Sequence, residues 1–183
     1  LNQREQVERL ERERRENYEQ TILSFADMID QRDTYTAGHT VRVARYSRML
    51  AARLGLSGEQ VDLLQQAAIL HDIGKIATPD SVLLKPGRLS PLDYELIKHH
   101  AQAGSAMLAG IAMYRELATI IRHPHERFDG MGYPDRLRGP GIPLLARILV
   151  VADSFDAMTT NRIYKPRKSM DEALAELQSL SGS

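Results

Sequence analysis

The chain has 183 residues, enough for one domain with a sizeable core, and 24 Lys and Arg balance 24 Asp and Glu. Zero formal charge gives no bulk pull toward nucleic acid polymers or membrane surfaces. The absence of cysteine excludes disulfides, thiolate zinc sites and cysteine nucleophiles, and fits a reducing, cytoplasmic compartment. No apolar run approaches the roughly 18 residues of a membrane span. No signal peptide is visible in the sequence, and a chain opening at Leu1 reads as a piece of a longer protein.

Residues 1–20, "LNQREQVERLERERRENYEQ", are dominated by Glu and Arg and predict a charged connector helix with i,i+4 ion pairs. Val7 and Leu10 make one a/d pair, but Arg14 and Asn17 follow on the seam, so the coiled coil that would pair two copies is weak. Residues 21–183 read as one domain. "TILSFADMIDQRD" puts Ile22, Phe25, Met28 and Ile29 on one helical face, and the next helix carries Val43, Tyr46, Leu50 and Leu54. Ser57 to Gln60 is a capping box opening a helix that runs to about Asp72. Thr78 to Gly87 predicts a loop, and Ser90-Pro91 a helix start with proline in its first turn. "MYRELATIIR" is a helix stopped near Pro124, "GMGYPDRLRGPGIP" a loop, and "LLARILVVADSFDAMTT" and "SMDEALAELQSL" two further helices. No strand-like alternation stands out. The fold class is all-α.

The six histidines carry the chemical signal. His39 continues the Val43 stripe inward, and His71 extends Val61, Leu64 and Ala68 in the same way. Asp72 ends the apolar run "AAIL", and Asp153 sits inside "ILVVADSF" with Asp156 one turn later. A lone buried histidine is usually just hydrogen-bonded, and a lone aspartate is often a cap or an arginine's partner. Four such residues facing inward on three predicted helices are more than accident supplies. A carboxylate in apolar company is expensive unless paired or bound to metal. Imidazole and carboxylate without thiolate suit Fe, Mn, Zn or Ni. His99 and His100 lie on different apolar stripes, and periodicity does not choose between them.

The stretch "RHPHERFDGMGYP" sets two imidazoles astride a proline before a glycine-rich turn. "HDIGK", a later His-x-x-x-Gly, "HERFDGMGYP" and "ADSFDAMTTNRIYKP" occur in that order. From about Asp27 to Ala175 the chain therefore resembles the HD-GYP family, helical metal-dependent phosphodiesterases of the HD-domain superfamily that act on cyclic di-GMP. The resemblance implies an HD-domain helical bundle after the charged helix, trimmed at its C-terminus. It implies a pair of divalent transition metals, Fe or Mn, held by His39, His71, Asp72, His100, His125 and Asp153. The His-x-x-x-Gly spacing selects His100, with Gly104. The family's substrate contacts fall on Asp33, Lys75, Tyr133, Asp156, Arg162 and Lys165, with His71, Asp72 and Lys75 at the chemistry. The product is pGpG and, after a second cut, GMP. A GGDEF-type partner is implied at the loop Gly132-Tyr133-Pro134.

Two positions depart from the family pattern. Tyr35 stands where some members carry a glutamate that supports a third metal, so two metals are expected. Pro124 replaces the first of two adjacent histidines, and His123 substitutes only if the proline turn swings it inward. This departure keeps two alternatives open: a cyclic di-GMP-binding or protein-docking domain of weak or absent activity, and an HD hydrolase of another cyclic dinucleotide.

Overall fold

The computed structural model describes residues 3–32, 38–161 and 167–183, and only the backbone of residues 18 and 19. Among the described residues it is a bundle of helices with no strand. In order they are α1 (Gln3–Arg32), α2 (His39–Arg53), α3 (Gly58–Leu70), α4 (Asp80–Leu83), α5 (Pro91–Lys98), α6 (His100–Ala109), α7 (Arg115–Arg122), α8 (Leu144–Thr159) and α9 (Met170–Ser179).

α1 passes residue 20 without a break. The change from charged to apolar sequence is therefore a change of surface along one rod. Its inner face is Ala26, Ile29 and the partly buried Ile22, while Phe25 and Met28 are exposed, contrary to the expected stripe. Isoleucines 22 and 29 are seven residues apart on one side, and Phe25 and Met28 lie round the helix from them. Likewise Leu54 is exposed at the end of α2, whereas Val43 and Ala44 are buried.

The capping box at Ser57 forms, with the Ser57 hydroxyl accepting from the Gln60 N–H. α3 ends at Leu70 rather than Asp72, and a 3-10 turn follows over Ile73–Ala77. The expected loop after Thr78 contains the single turn α4. Ser90 caps α5 with Pro91 in its first turn, as expected. α5 and α6 meet at His99. Leu92, Leu96 and His99 are exposed, while His100, Gly104 and Leu108 are buried, so the second of the two stripes faces the core.

Two places require glycine. A Cβ on Gly74 would lie 1.9 Å from the His100 carbonyl oxygen and 2.4 Å from the Gly104 nitrogen. Only a missing side chain lets the turn after Asp72 press against α6. A Cβ on Gly132 would meet the Arg127 nitrogen at 2.2 Å, so the 130–134 loop folds back tightly on the segment after α7.

Candidate metal centre

The close pair Gly74 and Gly104 brings α3's end against α6, and α2 and α8 close the other side. His39, His71, Asp72, His100, His125 and Asp153 converge there. His39 Nε2 is 3.3 Å from Asp153 Oδ1, and His71 Nε2 is 3.6 Å from Asp72 Oδ2. His100 Nε2 is 3.5 Å from the other oxygen, Asp72 Oδ1, and 3.1 Å from His125 Nε2. Asp72 thus stands between two lobes. One holds His39, His71 and Asp153. The other holds His100 and His125.

The far nitrogen of three rings is anchored. His71 Nδ1–H donates to the Ala68 carbonyl at 2.8 Å, and His100 Nδ1–H to the Ile97 carbonyl at 2.6 Å. His39 Nδ1–H donates to Asp156 Oδ2 at 2.8 Å. A carbonyl can only accept, so His71 and His100 turn a lone pair at Nε2 into the centre. This outer hydrogen bonding is how metal-ligating histidines are oriented.

The electrostatics point the same way. Burial opposes charge on Asp72, but His71, Lys75 and His100 hold its carboxyl well below the usual carboxylate range. Asp153 is also held low: burial works against this, and His39, His71 and His125 outweigh it. Burial pushes His100 down, and burial with the neighbouring His100 pushes His125 down to about 4. His39 is buried too, yet Asp153 and Asp156 lift it to about 9. The chain alone therefore offers ionised carboxylates at Asp72 and Asp153 and neutral imidazoles at His100 and His125, while His39 holds its proton between Asp153 and Asp156. The 3.1 Å approach of two Nε2 atoms calls for a cation or a proton between them. The donor set of nitrogen and oxygen, with no sulfur, fits divalent transition metals.

Pro124 is fully buried, and the lobe it adjoins has the fewer imidazole and carboxylate groups. His123 does not fill the gap. Its Nδ1 bonds the Thr119 carbonyl at 2.8 Å and its Nε2 meets Asp135 Oδ2 at 2.9 Å. Arg122 binds both oxygens of Asp135 at 2.7 Å. Glu126, buried, accepts the Asp135 and Leu137 N–H groups at 2.7 and 3.0 Å. His123, Glu126 and Asp135 also lie close enough to suit a metal, but backbone amides and Arg122 already engage the two carboxylates. So the residues flanking His125 serve a separate purpose: they clamp the glycine-rich loop to the end of α7.

That loop delivers Tyr133, whose ring stacks on His125 with centroids 5.0 Å apart and planes at 21°. Beyond Tyr133 opens a cleft of about 480 Å³ lined by Tyr94, Lys98, His99, Gln102, Met131 and Arg136, among others. None of the six converging residues lines it, so it lies beside the centre rather than over it. Lys75 Nζ reaches Asp72 Oδ2 at 2.7 Å and is partly exposed. Asp156 is placed differently from a surface contact. It is 2 % exposed, with its oxygens on His39 and on Arg42 at 2.6 and 3.1 Å. Arg42 was not singled out from sequence, although it lies one turn after His39. Asp33, Arg162, Lys165 and Tyr35 fall outside the described residues.

A family profile described as "HD domain" matches residues 24–183. The cyclic di-GMP phosphodiesterase response regulator RpfG of Xanthomonas campestris pv. campestris is 44% identical over 170 residues, which is 91% of this chain and 45% of that protein. A 3'3'-cGAMP-specific phosphodiesterase 3 of Vibrio cholerae is 36% identical over 157 residues, 86% of this chain and 34% of the relative. The chain thus spans less than half the length of either. Among solved structures, Bd1817, an HDG"Y"P protein from Bdellovibrio bacteriovorus, superposes with a TM-score of 0.61 at 27% identity, covering 77% of this chain and 45% of the other.

Proposed function

The chain belongs to the HD-domain family, and from that premise we propose that it is the catalytic domain of a metal-dependent phosphodiesterase that opens cyclic di-GMP to linear pGpG, and on to GMP. The observation that carries this reading is the two-lobed set of ligands sharing Asp72, with Lys75 at its edge. His39, His71 and Asp153 would hold one divalent metal and His100 and His125 the other, with Asp72 common to both; the donors suit Fe, Mn, Zn or Ni, and the family resemblance favours Fe or Mn. Such a pair supplies Lewis-acid polarisation of a phosphoryl oxygen and a lowered water pKa.

The chain's own residues do the rest. Hydrolysis joins a water oxygen to phosphorus and breaks the bond to the 3′-oxygen, which leaves with a proton. Lys75 is placed to donate to a non-bridging phosphoryl oxygen as charge builds there. Asp72 and Asp153, held ionised, serve as ligands and not as proton donors. Asp156 fixes the ring of His39 instead of touching substrate. Tyr133 forms a wall between the centre and the neighbouring cleft. We assign the cations Arg162 and Lys165, and Asp33, to substrate by motif alone.

The reading extends to partners and place. Exposed Met131 and Phe128 beside Gly132-Tyr133-Pro134 give that loop an apolar outer surface suited to a GGDEF-type partner. Exposed Val7, Leu10, Phe25 and Met28 on α1 support pairing with a second copy. No helix among the described residues is long and apolar enough to cross a membrane, and we place the domain in the cytoplasm.

The test is protein purified without chelator, assayed for metal per chain and for turnover of cyclic di-GMP and 3'3'-cGAMP. The specificity of the Vibrio relative makes the mixed dinucleotide the second substrate to try. Metal near two per chain with faster loss of cyclic di-GMP supports the proposal. Preference for 3'3'-cGAMP moves the substrate but keeps the chemistry. Metal-loaded protein that binds without turnover favours the sensing domain.

A further inference from the structure

Arg32, the last residue of α1, reaches out of its own helix. Its Nη1 donates to the Lys75 carbonyl at 3.2 Å and its Nη2 to the Thr78 carbonyl at 2.8 Å. Its Nε and Nη2 donate to Asp80 Oδ1 at 2.8 and 2.5 Å. The two carbonyls belong to the 3-10 turn Ile73–Ala77 and the residue that caps it. The Lys75 carbonyl already accepts the Thr78 N–H at 3.0 Å, and a guanidinium with its fork of donors adds a bond to it and to the Thr78 carbonyl at once.

The opposite side of the same turn is Gly74, pressed on the His100 carbonyl and Gly104 with no room for a Cβ. The turn is therefore held from both sides, by α6 through Gly74 and by α1 through Arg32. Lys75, on this turn, extends its ammonium to Asp72.

We propose that Arg32 is a positioning residue for Lys75: it suspends the Asp72–Lys75 turn from α1 and so fixes where the phosphate-facing ammonium sits. The inference rests on the phosphodiesterase reading for its substrate, but not for its geometry. Lysine cannot replace arginine here, because one ammonium cannot reach two carbonyls and a carboxylate in the same plane.

The experiment is a double-mutant cycle on metal-loaded protein with cyclic di-GMP. Lys75→Ala alone is expected to lower kcat about 100-fold, the scale of losing one donor to developing charge. Arg32→Lys alone is expected to lower kcat/KM about tenfold with metal per chain unchanged, the scale of a small misplacement. In the Lys75→Ala background, Arg32→Lys adds no further loss, since its effect passes through Lys75. Asp80→Asn, which keeps both carbonyl bonds, stays within about twofold of the unmodified protein.

Multiplying effects in the double variant, loss of metal in Arg32→Lys, or an Asp80→Asn defect equal to that of Arg32→Lys would each overturn the proposal. A separate arm measures inorganic phosphate binding to the metal-loaded protein by calorimetry. Arg32→Lys should weaken it, and Lys75→Ala should erase the difference. If the unmodified protein cleaves no cyclic dinucleotide, the functional reading fails and this arm still decides the role of Arg32. Unchanged phosphate affinity in Arg32→Lys overturns it.

Discussion

Asp156 meets His39 at 2.8 Å across 117 residues of sequence, and among the described residues it is the one carboxylate that grips a converging imidazole from behind. Its second oxygen is held by Arg42 at 2.6 Å, so the carboxylate cannot rotate away. Asp156→Asn preserves the shape but weakens the hold on the ring. Losses of this kind cost about 10–100-fold in metal affinity. Competition against a chelator of known affinity reads the change, and an unaltered metal affinity would remove Asp156 from the support of His39.

Gly74→Ala forces a methyl into backbone atoms at 1.9 to 2.8 Å, which cannot step aside as a flexible side chain would. The expected loss is about 3 kcal/mol or more, at the upper end of overpacking costs. Gly58→Ala is the control. Nothing lies within 4 Å of its added Cβ, and stability should change by less than about 1 kcal/mol. Urea denaturation followed by circular dichroism distinguishes the two.

Arg122 first, and His123 after it, depress the Asp135 carboxyl to about 2 against the opposing effect of burial. A group whose folded pKa is lowered stabilises above its unfolded pKa and loses that contribution as pH falls through the folded one. Asp135 thus adds stability above about pH 4 that disappears on the way to about 2. Asp135→Asn should melt lower at pH 6 and converge with the unmodified protein near pH 2. Parallel curves of melting temperature against pH would show that the clamp contributes nothing to folding.

His123→Ala should leave metal content unchanged, because both ring nitrogens are engaged by Thr119 and Asp135 rather than by the centre. It should instead speed amide exchange over residues 130–137. Pro124→His supplies the missing imidazole to the poorer lobe and should raise metal retention and turnover at fixed added Mn or Fe. If that substitution changes neither, the buried proline acts only as the turn that aims His125.

The inward placing of His39 and His71 was legible because a helix puts every third or fourth residue on one side, and apolar neighbours mark which side, whereas His100 was separated from His99 only by the family's His-x-x-x-Gly spacing. The capping box at Ser57 and the helix start at Ser90 were legible from local sequence too. What joins distant segments was not. Asp156 shares a face with Asp153, and spacing alone could not say that it turns to α2 while Asp153 turns to the centre. The fate of His123 depended on the proline turn, and the burial of Glu126 depends on two backbone partners that arrive from the loop. Phe25 and Met28 misled because α1 carries apolar residues on two sides, and only one of them meets the bundle.

α1 is an unbroken helix of 30 residues, roughly 45 Å long at 1.5 Å per residue. Its far half is exposed and charged, and its near end is bolted by Asp30 to Thr40, the residue after His39, and by Arg32 to the turn after Asp72. The rod therefore ties its charged half to the segments that carry His39 and Asp72, so turning it about its own axis would bear on both sides of the centre. Angular phase, rather than length, becomes the quantity that matters. Seven residues added in the charged half turn the arm by about 20° from its starting phase, whereas four added residues turn it by about 40° and two by about 160°.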